Sequence, residues 1–392
     1  MEGVDRVDRG ILLVTVVLMV IGVVMVASAS QVVAESKFSS PFFFLQRHAL
    51  RVLMAIFVMF LFYKIPYSIL SRFSLFIYLG SIVLLIAIFF WGHEVRSANR
   101  WLPMFNFALQ PVEFAKVALV IFIASRMSDE SKNPLRFKEG VLPIIVSALF
   151  MALLVAFQPN VSNAVLIMII AFMMLYVGGC KLLHIVPIYI GLSAVAFPFL
   201  YRLPVVQTRL QAFLNRTEYL RSLNWQVEQS LIAIGSGFLF GSGPGRGHQK
   251  FNFLPDPHTD FIYSIIGEEI GFLGTLLVLI LFAYLFMRSL KVAREAPDKF
   301  SSLLVFGLGL MIFTTAIINI SMALGIIPTA GMPLPFISYG GSSLIATCAS
   351  MGMILNISSK GNAGAGIMLR KKVFRRRGVF ARRRTGIRRR KD

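Results

Sequence analysis

Ile11-Leu-Leu-Val-Thr-Val-Val-Leu-Met-Val-Ile-Gly-Val-Val-Met-Val-Ala-Ser-Ala29 runs without one charged side chain. Roughly 20 helical residues cross a hydrocarbon core of about 30 Å, and this run has that length. It is too long for a typical signal-peptide core, and no convincing cleavage pattern follows it, so it reads as a first membrane span. Comparable stretches recur at roughly 11–30, 49–64, 74–92, 112–126, 140–157, 162–178, 183–201, 261–288, 302–325 and 340–357. The expected fold is all-α integral membrane, a polytopic bundle of about ten transmembrane helices with a long outer loop between spans seven and eight.

Composition points the same way. Of 392 residues, 57% are hydrophobic and 15% are charged, whereas a soluble domain carries about 25% charged. One integral unit over 1–358 is expected, followed by a basic tail over 359–392. Cys180 and Cys348 both lie at or inside apolar segments, which argues against a disulfide framework and a Cys-rich metal site.

The net charge of +21 would suggest nucleic acid if it were evenly spread. It is not: fourteen Lys and Arg from Lys360 onward face Asp392 alone. A tail of this kind is drawn to anionic membrane lipid on the cytoplasmic face, and nucleic acid is not the expected partner. With the N-terminus inside, the short inner connections hold Lys64, Arg72, Arg126, Lys132, Arg136, Lys138, Lys181, Arg288, Lys291, Arg294 and Lys299. Positive charge inside is the usual bias, so both termini are expected in the cytoplasm. The loops 93–111 and 202–259 and the segment 326–339 then face outward. The long loop carries Arg202, Arg209, Arg216, Arg221, Arg246 and Lys250, a set that invites an anionic ligand.

The outward segments hold the chemistry. Gly235-Ser-Gly-Phe-Leu-Phe-Gly-Ser-Gly-Pro-Gly-Arg-Gly-His-Gln-Lys250 can form backbone nests for phosphate, with Arg246 and Lys250 adding charge, or can simply turn the chain. It lacks the strand and helix context of a dinucleotide site. Asp260 opens an apolar helix, where a carboxylate can cap free N–H groups or act as a general base on a hydroxyl within reach. Glu268 and Glu269 follow in the membrane-entering helix, where a carboxylate is functional or paired with Arg or Lys. Glu113 and Lys116 share a helix face and can pair or present opposite charges to a cavity. Trp101 suits an interfacial anchor, and Gln158-Pro159-Asn160 suits a sharp turn. Pro328, Pro333 and Pro335, among glycines, force non-helical backbone at the membrane face, which is tolerated where it lines a cavity. Ser338 is outside any G-x-S-x-G elbow, the five histidines are dispersed, and no zinc-type spacing occurs.

Three blocks resemble the shape, elongation, division and sporulation (SEDS) family. They are Pro333-Leu-Pro-Phe-Ile-Ser-Tyr-Gly-Gly-Ser-Ser343 with Asn319 and Gly325-x-x-Pro328, then Gln249-Lys-x-x-x-Leu-Pro-x-x-His-Thr-Asp-Phe-Ile262 with Gly267-Glu-Glu-Ile-Gly271, and Arg100-Trp101 with Gln110-Pro-x-Glu-x-x-Lys116. The resemblance covers about residues 8–358. Gln229-Ser-Leu-Ile-Ala-Ile-Gly235 and Pro328-Thr-x-Gly331 look closer to the division member than to the elongation member. Asn160 stands where many members carry Asp, so no catalytic role is carried onto it.

The resemblance implies a glycosyltransferase that polymerises lipid II on the outer face of the bacterial cytoplasmic membrane, at the division septum. Asp260 matches the family's proposed base. Arg100, Lys116, Arg246 and Lys250 are candidates for the pyrophosphate and cavity electrostatics. Trp101, Glu113, His258, Ser338, Gly340, Gly341 and Ser342 complete the expected substrate-binding set. A divalent cation, Mg2+ or Mn2+, could assist with the substrate pyrophosphate, and no organic cofactor is expected. The implied partners are a class B penicillin-binding protein and other division proteins. Two further readings stay open here: a lipid II flippase, motivated by the broken helices, and a noncatalytic scaffold, motivated by the basic tail.

Overall fold

The computed structural model describes residues 7–361 except 96–97, 105–106, 130–135, 216–223, 251–253 and 256. Lys132, Arg216, Arg221 and the tail from 362 lie outside the described residues. Eight helices among the described residues are long and apolar enough to cross a membrane. They are α1 (Arg9–Phe38), α2 (Phe43–Lys64), α4 (Ser74–Trp91), α6 (Leu142–Phe157, with its lead-in from Phe137), α8 (Leu182–Tyr201), α11 (Ile262–Glu295), α12 (Lys299–Ala323) and α13 (Gly341–Gly361).

Two of the ten expected spans fall short of that measure for physical reasons. The helix α7 (Val161–Val177) is apolar but only 17 residues long. The helix α5 (Pro111–Ser128) carries Glu113, Lys116 and Arg126 within 18 residues. Shorter helices α3 (Tyr67–Arg72), α9 (Pro204–Leu214) and α10 (Trp225–Ser236) join the longer ones. The expected loop at 93–111 forms a small antiparallel meander of β1 (His93–Val95), β2 (Ala98–Met104) and β3 (Phe107–Leu109), with His93 opposite Trp101 and Leu102 opposite Leu109.

The first and last spans meet at one end of the bundle. Asp8 caps α1 by accepting from the Ile11 N–H at 3.1 Å. Its own N–H donates to Ser358 Oγ at 3.2 Å, and its carboxylate pairs with Arg288 at 2.6 Å. This is the terminal end; the opposite end carries Asp260 and is called the site end below. The interior is formed by α5, α12 and α13, whose residues are mostly buried, while α8, with Pro187 and Pro198 inside it, buries only Ile185.

The feature that shapes the site end is a break in α11. Gly271 sits at φ 79° and ψ −169°, inside an otherwise helical run. The carbonyls of Glu268 and Glu269 therefore lose their partners four residues on. They accept instead from the N–H groups of Ser242 at 2.9 Å and Gly243 at 3.1 Å. Across the break, Phe272 and Leu273 donate to the carbonyls of Phe238 at 2.8 Å and Leu239 at 3.2 Å. The glycine loop is thus inserted into the helix, replacing bonds whose absence in lipid would cost several kcal/mol each.

This close approach explains Gly241 and Gly271. A Cβ on Gly241, at φ +80°, would overlap the Glu269 carbonyl, and a Cβ on Gly271 would overlap the Gly241 amide. Gly241→Ala should lose about 1–3 kcal/mol from backbone strain alone, with more from the overlap. A thermal melt in detergent should show it less stable than Gly235→Ala, where a Cβ meets nothing.

Candidate active site

Two irregular segments meet at the site end, and one side chain ties them. Asn319, fully buried on α12, donates through Nδ2 to the main-chain carbonyl of Asp260 at 2.8 Å and to that of Met332 at 2.7 Å. The Tyr339 N–H donates to the His258 carbonyl at 2.9 Å. The segment 257–261 is thereby fastened along 330–339, and half-buried Asp260 stands at their junction. Neither segment is helical, so both need such external partners for their backbone groups.

Gly331 lies beneath the Asp260 carboxylate with φ +63°. A Cβ there would sit 3.9 Å from Asp260 Oδ2 and 4.0 Å from Arg209 Nη2. Arg209, on α9, and the candidate base thus both come up to the same face of a residue with no side chain. Burial pushes its guanidinium below the ordinary value, and the Asp260 charge acts in the opposite direction. The sequence places Arg209 among the loop charges that invite an anionic ligand without singling it out, because only the fold brings it to Asp260.

His258 is buried, its ring 4.7 Å from Phe44 and 5.3 Å from Tyr339. Arg51 of α2 lies over the same Tyr339 ring at 4.3 Å and against Gly341. Ser338 accepts from the Leu334 N–H at 2.9 Å and so fixes the turn of the Pro-rich segment. The Gly340 carbonyl accepts from Leu344 at 2.9 Å and starts α13. Ser342 accepts from the Gln110 N–H at 2.9 Å, joining the head of α13 to the head of α5. Of the expected set, Asp260, His258, Ser338, Gly340, Gly341 and Ser342 are therefore brought into one region. Trp101 is half-buried on β2. Arg100 is on the same strand, and its side chain lies outside the described residues.

Two of the other expected cations, Lys116 and Lys250, have internal counterions. Lys116 pairs with Glu113 at 2.9 Å and donates to Asn163 Oδ1 at 2.9 Å, and Asn163 in turn donates to Asn160 Oδ1 at 3.0 Å. All four residues are buried. Lys250, 2% exposed, pairs with Glu269 at 3.0 Å and donates to the Gly245 carbonyl at 2.7 Å and Ser28 Oγ at 3.2 Å. Ser28 donates to the same carboxylate at 2.6 Å, which ties α1 to α11. Lys250 thus faces inward and is not a lining cation of the site end. Arg246 is exposed on its turn.

Of the two readings of the glycine loop, phosphate nest or plain turn, its hydrogen bonds favour the turn. The N–H groups of Gly241, Ser242, Gly243 and Arg246 bond to main-chain carbonyls. Those of His248 and Gln249 bond to the Glu268 carboxylate at 2.5 and 3.1 Å. Through these donors, which are already bonded inside the protein, the loop acts as a structural insert. Among the described residues no three His, Cys, Asp or Glu stand together as a metal site.

Comparison with known proteins gives the family and supports the fold. The family described as cell cycle protein, grouping FtsW, RodA and SpoVE, matches residues 9–363. The chain is 36% identical over 367 residues to the probable peptidoglycan glycosyltransferase FtsW of Geobacter sp. (strain M18), covering 92% of this chain and 99% of that one. It is 35% identical over 354 residues to stage V sporulation protein E of Bacillus subtilis (strain 168), covering 90% and 96%. A chain from a structure of a peptidoglycan synthase complex that coordinates polymerization and crosslinking superposes with a TM-score of 0.74 at 22% identity, covering 91% and 98%.

Removing one member of the buried Lys250–Glu269 pair leaves the other charge unpaired. Lys250→Met should cost about 3–5 kcal/mol, while Lys250→Met with Glu269→Leu, which removes both charges, should recover much of it. Thermal melts of the two variants beside the unsubstituted chain check this.

Proposed function

This chain belongs to the FtsW, RodA and SpoVE family of cell cycle proteins and is a peptidoglycan glycosyltransferase, and we propose that it polymerises lipid II into glycan strands with Asp260 as general base. The observation that carries the assignment of the base is the Asn319 clasp, which fixes the Asp260 main chain against the Met332 carbonyl at the junction of two non-helical segments. A carboxylate held by its backbone, with a half-buried side chain, is pre-positioned for a hydroxyl acceptor.

The sugar 4-hydroxyl of the acceptor gives its proton to Asp260 as its oxygen bonds to the anomeric carbon of the donor. The bond from that carbon to the diphosphate oxygen breaks, and undecaprenyl diphosphate leaves with the electron pair. Charge then develops on the leaving oxygen, where a positioned cation lowers the barrier. A divalent cation, Mg2+ or Mn2+, would travel with the diphosphate, whose own oxygens are hard ligands suited to it.

The site end faces outward in this proposal and the terminal end faces the cytoplasm. The basic residues of the short connections at the terminal end, and the basic tail, support that orientation. The working place is the division septum of a bacterial cytoplasmic membrane. The partners are a class B penicillin-binding protein that cross-links the new glycan and other division proteins. The SEDS domain is assigned to 1–358, and the tail from 359 is assigned to anionic lipid.

Asp260→Asn should lower polymer formation from purified lipid II by about 10²–10⁴-fold, the usual contribution of a general base, with the melting temperature kept. Each protein is assayed alone and with its cognate class B penicillin-binding protein. Undiminished polymer from the variant would remove Asp260 from the mechanism.

A further inference from the structure

We propose that Arg209 is an exchangeable counterion that faces Asp260 and takes the diphosphate of the lipid-linked donor when it binds. The proposal rests on the polymerase reading above and names the residue that meets the leaving group.

The first support is the company Arg209 keeps. Lys116 faces Glu113, Lys250 faces Glu269 and Arg288 faces Asp8, so each of these cations has a counterion outside the reaction. Arg209 instead has its guanidinium and the Asp260 carboxylate on the same side of Gly331, at 4.0 and 3.9 Å from one point. Its charge is opposed to that of the candidate base.

The second support is positional. The helix α9 is 11 residues long, begins with Pro204 at its first turn, and has its last turn held where the Asn224 side chain donates to the Ala212 carbonyl. Pinned at that end, α9 aims Arg209 at the segment 330–339 rather than into solvent. Gly331 keeps this spot free of a side chain: a Cβ there would touch both the carboxylate and the guanidinium.

Chemistry then requires the exchange. A carboxylate facing a guanidinium is stabilised in its ionised form and takes a proton less readily. A base that stays so paired is poorly poised for the acceptor hydroxyl. A diphosphate carries more negative charge than a carboxylate, and its oxygens match the planar guanidinium fork in bidentate fashion. As the donor enters, Arg209 turns to it. Asp260 is left to accept the hydroxyl proton, and Arg209 meets the charge that the breaking C–O bond delivers to the diphosphate. Binding of the donor is thereby coupled to readiness of the base.

The test uses the full chain in nanodiscs and measures binding of undecaprenyl diphosphate against undecaprenyl monophosphate, alongside polymer formation with the cognate partner. The unsubstituted chain should prefer the diphosphate. Arg209→Gln should lose that preference by about tenfold or more, the scale of a charge-assisted hydrogen bond, and should raise KM for lipid II as well as lowering kcat. Arg209→Lys keeps the charge without the fork and should fall between. Unchanged preference in a folded Arg209→Gln would overturn the proposal. If that variant does not fold, an undiminished preference in Arg209→Lys does the same. A chain that shows the Arg209-dependent preference yet makes no polymer with a competent partner would sink the polymerase reading and leave the diphosphate site standing.

Discussion

A helix cannot be interrupted inside lipid unless something else takes its hydrogen bonds, and that constraint organises this molecule. The interruption at Gly271 frees two carbonyls and two amides, and the loop 238–243 supplies a partner for each. The exchange separates the first turns of α11, which follow directly on Asp260, from the long remainder that crosses toward the terminal end. Asp260 therefore sits at the head of a short segment set by the glycine loop on one side and by Asn319 on the other. The glycines are present because two backbones meet at contact distance, and the loop is an internal splint.

The same low-dielectric surroundings govern the charges. Removing an ion from water costs several kcal/mol even after relaxation, so buried ions come in neutral sets with their remaining hydrogen-bonding capacity filled. Lys250, Glu269 and Ser28 make one such set across three parts of the chain, while Asp8 pairs at the terminal end with a partly exposed Arg288. These sets contribute register more than attraction. Lys250 fixes how the loop lies on α11, and Asp8 fixes where α1 begins relative to α13 through Ser358. Arg209 and Asp260 differ because they are only half-buried and lie where the two irregular segments meet, which lets a third charge enter between them.

The membrane class, the run of apolar helices and the importance of three motif blocks were legible in the sequence, because span length and broken-helix composition are local properties of the chain. Pairing was not. Lys250 and Arg246 are four residues apart in one glycine-rich string, yet one is buried against Glu269 and the other is exposed. No local pattern separates them, since the difference arises when α1 brings Ser28 alongside. Arg209 was hidden for the converse reason: it lies in an ordinary stretch of a long loop, and its relevance depends on a glycine more than a hundred residues away. Asn319 was visible as part of a family block, but its work, bridging two carbonyls, is a property of three segments at once.

Asn160 shows how far the neutral-set argument reaches. Its side chain ends a chain of contacts that runs from Glu113 through Lys116 and Asn163, all buried. The lysine already has one carboxylate, so the set is neutral as it stands, and the amide at 160 extends it by a hydrogen bond without adding charge. A carboxylate at the same place would give the set a net negative charge in a buried position, and would accept from Asn163 just as the amide oxygen does. The hydrogen bond thus survives either choice, and what the amide changes is the electrostatic balance around Lys116. In this chain the positive charge of Lys116 is matched one to one by Glu113 on the same helix, and the hydrogen bond from Lys116 to Asn163 ties that neutral pair on α5 to α7.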